Sequence, residues 1–545
     1  MSKERKYPEG LFFLVFTEFW ERFGYYLMIG IFMLYMTKPT DEGGWGWDNA
    51  TGADIFGTFI ALVYLTPFMG GLLADLKLGY RFSITLGGIL MGIGYILLGV
   101  HEKWAFYTAL AVMIFGNGFF KPNISTLLGN LYNDPRFKAK KDLGYNIFYM
   151  GINAGALICN FVAAYMRNKY GWQGAFTAAG VGMFVGVITF WMGNKYYKHV
   201  DVRKEPSPED KPMLMRFVKV LGVAVTFGIL GWIIPGSIMG SDSTDAFFLA
   251  CVPVIYFYYT VYKSVSEEEK PNLKTMFTIF FIVILFWAVF KQNGTALTTY
   301  AEYYTDREMP KELLSTTKTL YLNDSVVAKS KMRDQYDEQF RRIRDEKGEV
   351  IKCDDYPAYF KNLDTEKYPP PGGKLFLINT ELFQSINPFF VVVLTPILIF
   401  FFSILRKRGK EPTTATKIAY GLLISALSCL VMVVAIPMTA NGMEKASGWW
   451  LVACYGVVTI GELLLSPMGL SMVSKLSPVR LTALMMGGWS LATSLGNKLS
   501  GVLAKNWDKF DDKANYFWLN FGLLMFAAII LFFLLKNLNK VFKQS

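Results

Sequence analysis

Residues 10–36 read GLFFLVFTEFWERFGYYLMIGIFMLYM, an apolar run interrupted near its middle by Glu18, Glu21 and Arg22. About 20 mostly apolar residues suffice for a helix to cross the hydrocarbon of a bilayer. On such a helix, spacings of three, four and seven bring Glu18, Glu21, Arg22 and Tyr25 to one face. A charge at a helix centre costs roughly 2.5–3.5 kcal/mol even on the lenient insertion scale. Three on one face therefore imply a polar interior walled by other helices, where Arg22 can neutralise one carboxylate. The run predicts a polytopic membrane protein. The group itself reads as a proton or substrate relay, or as a buried ion cluster that only holds helices together.

The rest of the 545-residue chain agrees. It is 53% hydrophobic, 16% aromatic and only 18% charged, where soluble domains run nearer to about 25% charged. That excludes disorder over most of the chain, and an ordinary cytosolic enzyme. The net charge of +12 comes from short basic clusters between apolar runs: Lys138, Lys140 and Lys141; Arg203 and Lys204; Arg406, Lys407, Arg408 and Lys410. Such placement marks cytoplasmic loops, so no nucleic-acid partner is expected. The five cysteines (Cys159, Cys251, Cys353, Cys429, Cys454) are scattered, and the only histidines are His101 and His199. Neither a disulfide framework nor a metal site follows. Met1 to Pro8 is short and basic with no cleavage pattern, so the first apolar run is expected to be retained.

Apolar runs fall near 10–36, 52–75, 82–100, 104–130, 143–166, 174–193, 214–234, 246–263, 273–300, 380–405, 416–438, 448–474, 480–504 and 516–537, fourteen in all. Loop charges put both termini in the cytoplasm. Fourteen factors as six, two and six: an all-α membrane protein of the major facilitator fold, two six-helix bundles with a site at the midplane between them. The expected divisions are a first bundle over 1–193, an inserted pair with its linkers over 194–272, and a second bundle over 273–545. The inserted pair carries almost no interior charge and reads as a lipid-facing hairpin. A charged insertion over 302–373 faces outside by this topology and reads as a small cap or a disordered loop, with Asp334 to Glu349 as a solvated helix.

Other spans carry charge as well. Lys121 precedes Pro122, which frees a backbone carbonyl and commonly marks a cavity wall. Lys291 opens Lys-Gln-Asn-Gly-Thr, where snorkelling is the competing reading. Glu462 lies five residues before Pro467. The interior tally is Glu18, Glu21 and Glu462 against Arg22, Lys121 and Lys291. Tyr64, Asn153, Asn387 and Trp489 add hydrogen-bonding groups at similar depth, each alone more often interhelical glue. Gly71, Asp75, Gly79 and Arg81 form a loop pattern suited to gating, similar to that of the facilitator superfamily.

Glu18-x-x-Glu21-Arg22-Phe23-x-Tyr25-Tyr26 resembles the first-helix motif of the proton-dependent oligopeptide transporter family. Phe120-Lys121-Pro122-Asn123-Ile124-Ser125-Thr126, Gly151-Ile152-Asn153, Phe383-Gln384-Ser385-Ile386-Asn387-Pro388 and Gly461-Glu462-Leu463-Leu464-Leu465-Ser466-Pro467 are similar to its other motifs, in family order. The inserted pair resembles the prokaryotic members. The resemblance implies proton-driven symport of di- and tripeptides by alternating access in the inner (plasma) membrane, with protons as coupling ion and no other cofactor. It implies that Glu18, Glu21, Arg22 and Lys121 couple protons to gating. It further implies that Glu462 receives the peptide amine and that Lys121, Asn153 and Asn387 hold the carboxyl end and backbone. Tyr25, Tyr26, Tyr64, Trp287, Ser466 and Trp489 would line the pocket. Two positions depart from the family: Ile29 stands where Arg is usual, and Lys291 where an acid is usual, so the pair those residues make cannot form here.

Two alternatives stand beside this reading. A transporter of the same fold for nitrate or another small anion gains from the extra cation Lys291 and loses from the retained Glu462. A non-transporting nutrient sensor would bind ligand without flux. An enzyme is the weakest reading, since no Ser-His, His-rich metal or phosphate-cradling motif occurs.

Overall fold

In a membrane the protein must pair every backbone polar group itself, which only helices and closed barrels achieve, and the apolar runs of this chain are of helical length. The computed structural model describes residues 7–201, 210–234, 237–478 and 481–544. Met1 to Lys6, the basic pair Arg203 and Lys204, and the end of the 475–480 loop lie outside them. The order is α1 Gly10–Thr37, α2 Asn49–Leu73, α3 Tyr80–Leu98, α4 Lys103–Leu131, α5 Lys141–Met192, α6 Asp210–Ile233 and α7 Asp242–Ser264. There follow α8 Lys270–Phe290, α9 Ala296–Tyr303, α10 Lys311–Thr319, α11 Ile386–Lys407, α12 Thr414–Ala435, α13 Trp449–Leu476, α14 Thr482–Lys505 and α15 Lys513–Gln544. Among the described residues, nine helices are long and apolar enough to cross a membrane; α1, with three charges in its interior, is not one of them. The chain is a multi-pass membrane protein.

Two compact units make it up. The first comprises Met1–Ile31, Phe59–Leu230 and Leu249–Val254; the second comprises Phe32–Thr58, Gly231–Phe248 and Ile255–Ser545. In the first, small residues let backbones touch, as is usual in membrane bundles: a Cβ on Gly70 of α2 would sit 2.0 Å from the Gly118 carbonyl oxygen of α4. The 52-residue α5 takes a positive φ of 73° at Gly171, a conformation glycine adopts without a Cβ penalty. That bend separates the expected runs 143–166 and 174–193.

In the second unit two sequence expectations need correction and one pair of alternatives is decided. The run 273–300 is not one helix: α8 stops at Phe290 and a 3-10 turn over Lys291–Gly294 precedes α9. The insertion is an ordered cap. Strands β1 Thr305–Asp306, β2 Asn323–Val327, β3 Lys331–Asp334, β4 Lys352–Asp355, β5 Lys374–Ile378 and β6 Ala446–Ser447 pair as parallel β1–β6 and antiparallel β2–β5 and β3–β4. Ala328, Tyr359, Phe360, Leu363 and Leu377 form a small core of its own.

The second correction is that Asp334 to Glu349 is not a helix. It forms turns and isolated bridges, Tyr336 to Arg342 and Arg344 to Val350. The Asp337 carboxylate accepts from the N–H groups of Gln339 and Arg341, and Phe340 has φ 58°. These local bonds offer the backbone an alternative to a helix. Tertiary pairing favours the same outcome. Arg342 donates to the Thr37 and Trp47 carbonyls at 2.7 and 3.0 Å, Arg344 pairs with Asp48 and Lys331 with Asp41. The basic arm of the cap thus grips the acidic loop between α1 and α2.

Beneath the cap, half-buried Lys445 donates to the Tyr303 carbonyl at 3.0 Å and to Asn362 Oδ1 at 2.7 Å, with the Tyr359 ring 4.1 Å away. Burial, and then the Arg307 charge, hold its amine down to about 7, against the upward pull of Glu302 and Asp306. The unfolded chain keeps this proton up to the ordinary value of 10.5, so the cap should gain stability as pH rises from about 7 toward that value. Chymotryptic cleavage within 302–373, corrected against an unfolded control, should slow between about pH 7 and 9 on this account. Lys445→Met should abolish that slope.

Candidate functional site

Helical spacing on α1 does what the sequence suggests. Arg22 donates from Nε and Nη2 to the two carboxylate oxygens of Glu21, and its Nε lies 3.7 Å from Glu18 Oε1. All three residues are at most 3% exposed, so the bidentate pair is charge-assisted and shielded from water. The guanidinium lies 4.9 Å from the Tyr25 ring centroid and 5.8 Å from that of Tyr26. Glu18 Oε2 is buried with no hydrogen-bond partner. The second carboxylate therefore keeps an acceptor available.

On α4, Lys121 sets its ammonium 4.8 Å from the Tyr64 ring of α2 and within electrostatic range of Glu18, Glu21 and Arg22. The helix continues through Pro122, and Asn123 donates to the Phe119 carbonyl at 2.7 Å and to the Gly70 carbonyl at 3.4 Å. Asn153 on α5 is buried and donates to the Tyr149 carbonyl. Ile29 is half-buried farther along α1. Glu18, Glu21, Arg22, Tyr25, Tyr26, Tyr64, Lys121 and Asn153 all belong to the first unit.

The second unit holds the remaining candidates, and the broken span organises them. Gln292 bonds Asn520 and the Tyr516 hydroxyl, while the Asn293 carbonyl accepts from Gln384 at 2.6 Å and Tyr455 at 3.4 Å. Gln384 and Tyr455 thereby satisfy a carbonyl that the break exposes, the condition for irregular backbone at membrane depth, while Gln292 ties the turn to α15 through its side chain. Lys291 begins the break, 5.4 Å from the Trp287 ring and within electrostatic range of Glu462. Glu462 Oε2 accepts from Asn387 Nδ2 at 3.0 Å, and the same amide reaches Thr459 at 2.9 Å. Ser466 Oγ and Trp287 Nε1 have no hydrogen-bond partner. Trp489 packs edge-on to Phe280 at 5.9 Å.

At the loop after α2, Asp75 lies in a π-helical turn over Ala74–Leu78 and accepts from the Tyr80 hydroxyl at 2.7 Å. Arg81 turns instead to Asp201, at 3.8 Å. Asp201 had no signal in the sequence beyond its charge.

The interior tally was incomplete. Asp54 of α2 and Lys498 of α14 form a further pair at 2.7 Å, and Lys498 is wholly buried. Lys38, at the end of α1, pairs with buried Glu302, which Arg307 also meets at 3.1 Å. The rule that singled out Glu18 would have found Asp54 and Lys498, since both lie inside apolar runs. The pair adds one charge of each sign and leaves the interior balanced.

The POT family model matches residues 81–317 and 372–519 of this chain. An uncharacterized transporter, YclF, of Bacillus subtilis strain 168 is 30% identical, covering 99% of this chain and 95% of its own. A di-/tripeptide transporter of Lactococcus lactis subsp. lactis is 30% identical over 91% of this chain and 89% of its own. The crystal structure of a POT family transporter in complex with 5-aminolevulinic acid matches with a TM-score of 0.75 and 26% identity, covering 99% of this chain and 98% of that one.

Removing one partner of a buried ion pair costs about 3–5 kcal/mol, because the other charge is left uncompensated. Arg22→Ala should lower the midpoint of thermal unfolding in detergent accordingly, since Glu21 loses its bidentate partner and only Lys121 remains in range of the two carboxylates. Arg22→Ala with Glu21→Ala should unfold at a higher temperature than Arg22→Ala alone. An additive double-mutant cycle would show that the pair does not interact energetically.

Proposed function

The chain belongs to the POT family, and from that premise we propose that it is a proton-coupled symporter. It imports di- and tripeptides across the plasma membrane by alternating access. Both termini lie in the cytoplasm and the 302–373 cap lies outside. The observation that carries the reading is the buried Glu18, Glu21 and Arg22 group with Lys121 in electrostatic range. A carboxylate bound to an arginine can release it on protonation, which ties proton uptake to a change in helix contacts. Proteoliposomes loaded with the protein should accumulate labelled dialanine under an inward proton gradient and not without one. Glu21→Gln should abolish that accumulation and leave counterflow; full accumulation in the variant would remove Glu21 from the coupling.

For the substrate, Glu462 is the amine acceptor, oriented by Asn387. This assignment also draws on the relative described as a di-/tripeptide transporter. A second reading, transport of nitrate or another small anion, is favoured by one observation: Lys291 lies in electrostatic range of Glu462 and offsets it. The two readings separate in one series of uptake assays. If Glu462 receives the amine, Glu462→Gln weakens free dipeptides at least tenfold more than N-acetylated ones, about 1.4 kcal/mol. Nitrate then fails to compete with dialanine. Equal loss for both peptides, with competition by nitrate, favours the anion.

A further inference from the structure

The pair Asp54–Lys498 is the hub of a network that reaches the inserted helix pair. Lys498 Nζ donates to Asp54 Oδ1 at 2.7 Å, to Thr58 Oγ1 at 2.6 Å and to Ser243 Oγ at 3.0 Å. Asp54 accepts in addition from Ser243 at 2.7 Å, Ser241 at 3.1 Å and Thr244 at 3.2 Å. Ser241 is also the N-cap of α7, accepting from the Thr244 N–H. Three helices, α2, α7 and α14, thus meet on one carboxylate and one ammonium.

Around this hub the backbones are close. A Cβ on Gly57 of α2 would lie 2.7 Å from the Gly501 Cα of α14. The inserted pair follows α14 as well: Lys505 donates to the Gly240 carbonyl, and the Tyr258 hydroxyl to the Leu484 carbonyl at 2.8 Å. One face of α7 is therefore docked on protein along α14, while Val252, Ile255, Tyr256 and Tyr259 stay exposed, as the lipid-facing reading expects.

The chemistry of the junction suits a contact that breaks and re-forms. A buried ion pair is a poor static fastener, since apolar residues of similar volume often hold at least as well once desolvation is counted. Its members are all groups that water solvates readily: a carboxylate, an ammonium and four hydroxyls. At Gly57 and Gly501 the backbones meet with no side chains between them, so the helices can part there without any rotamer having to change. We propose that Asp54, Lys498 and the hydroxyls of Ser241, Ser243 and Thr244 form a latch that is released and remade in each transport cycle. The inserted pair is its third arm.

The proposal rests on alternating access, and its test is spectroscopic so that the two can fail separately. Nitroxide labels go on Thr51→Cys and Lys509→Cys, exposed positions near the latch, in a cysteine-free full-length background. Double electron–electron resonance is recorded in lipid nanodiscs without substrate. Asp54→Asn, and the triple change Ser241→Ala, Ser243→Ala and Thr244→Ala, should each raise the long-distance population several-fold. The exchange Asp54→Lys with Lys498→Asp should return it toward the parent. Ser243→Ala removes one hydroxyl only and carries the test wherever a stronger variant does not fold. Unchanged distances in Asp54→Asn would overturn the latch, and unchanged distances in Ser243→Ala and the triple variant would overturn the third arm. Shifted distances in a protein that carries no peptide would leave the latch standing and refute the substrate.

Discussion

A charge inside a membrane protein has to be met by the protein itself, because hydrocarbon supplies neither counter-ion nor hydrogen bond. The described architecture follows that constraint. Glu18, Glu21 and Arg22 satisfy one another on a single helix. Glu462 is met by Asn387, and Asp54 by Lys498 with three hydroxyls. The last two clusters tie helices together, α11 to α13 and α2 to α7 and α14, so there ionic chemistry and packing are set by the same residues.

Backbone groups obey the same constraint. The 3-10 turn over Lys291–Gly294 would be untenable against lipid; Gln384 and Tyr455 bond its Asn293 carbonyl, and Tyr516 and Asn520 anchor it through the Gln292 side chain. Breaking a helix at this depth turns Lys291 out of a regular spiral and places it by the Trp287 ring, in range of Glu462. The break thus provides a local structure that accommodates a cation at this position.

Outside the spans, water competes for every charge and individual ion pairs are worth little. The cap accordingly uses many: Lys331 and Arg333 on Asp41, Arg344 on Asp48, Arg341 on Asp337 and Asp511. It adds buried Arg342 donating to main-chain carbonyls. The cap holds loops that belong to different helices, and the latch of Asp54 and Lys498 involves two of those same helices, α2 and α14. Both features bear on the ends of helices that alternating access would move.

By itself the sequence located the apolar runs, the charged face of α1 and the polar residues around Pro122 and Pro467. Those are local properties: span length and the 3.6-residue period act over a few turns. The tertiary structure decided which charges pair. Asp54 and Lys498 are 444 residues apart, and nothing within a helical turn of either names the other. It also decided that 291–294 leaves the helix and that Asp334 to Glu349 forms turns and bridges. At 291–294 the bonds come from distant segments, and at 334–349 distant contacts such as Arg342 on the Thr37 and Trp47 carbonyls add to local turns, none of which helix propensity sees.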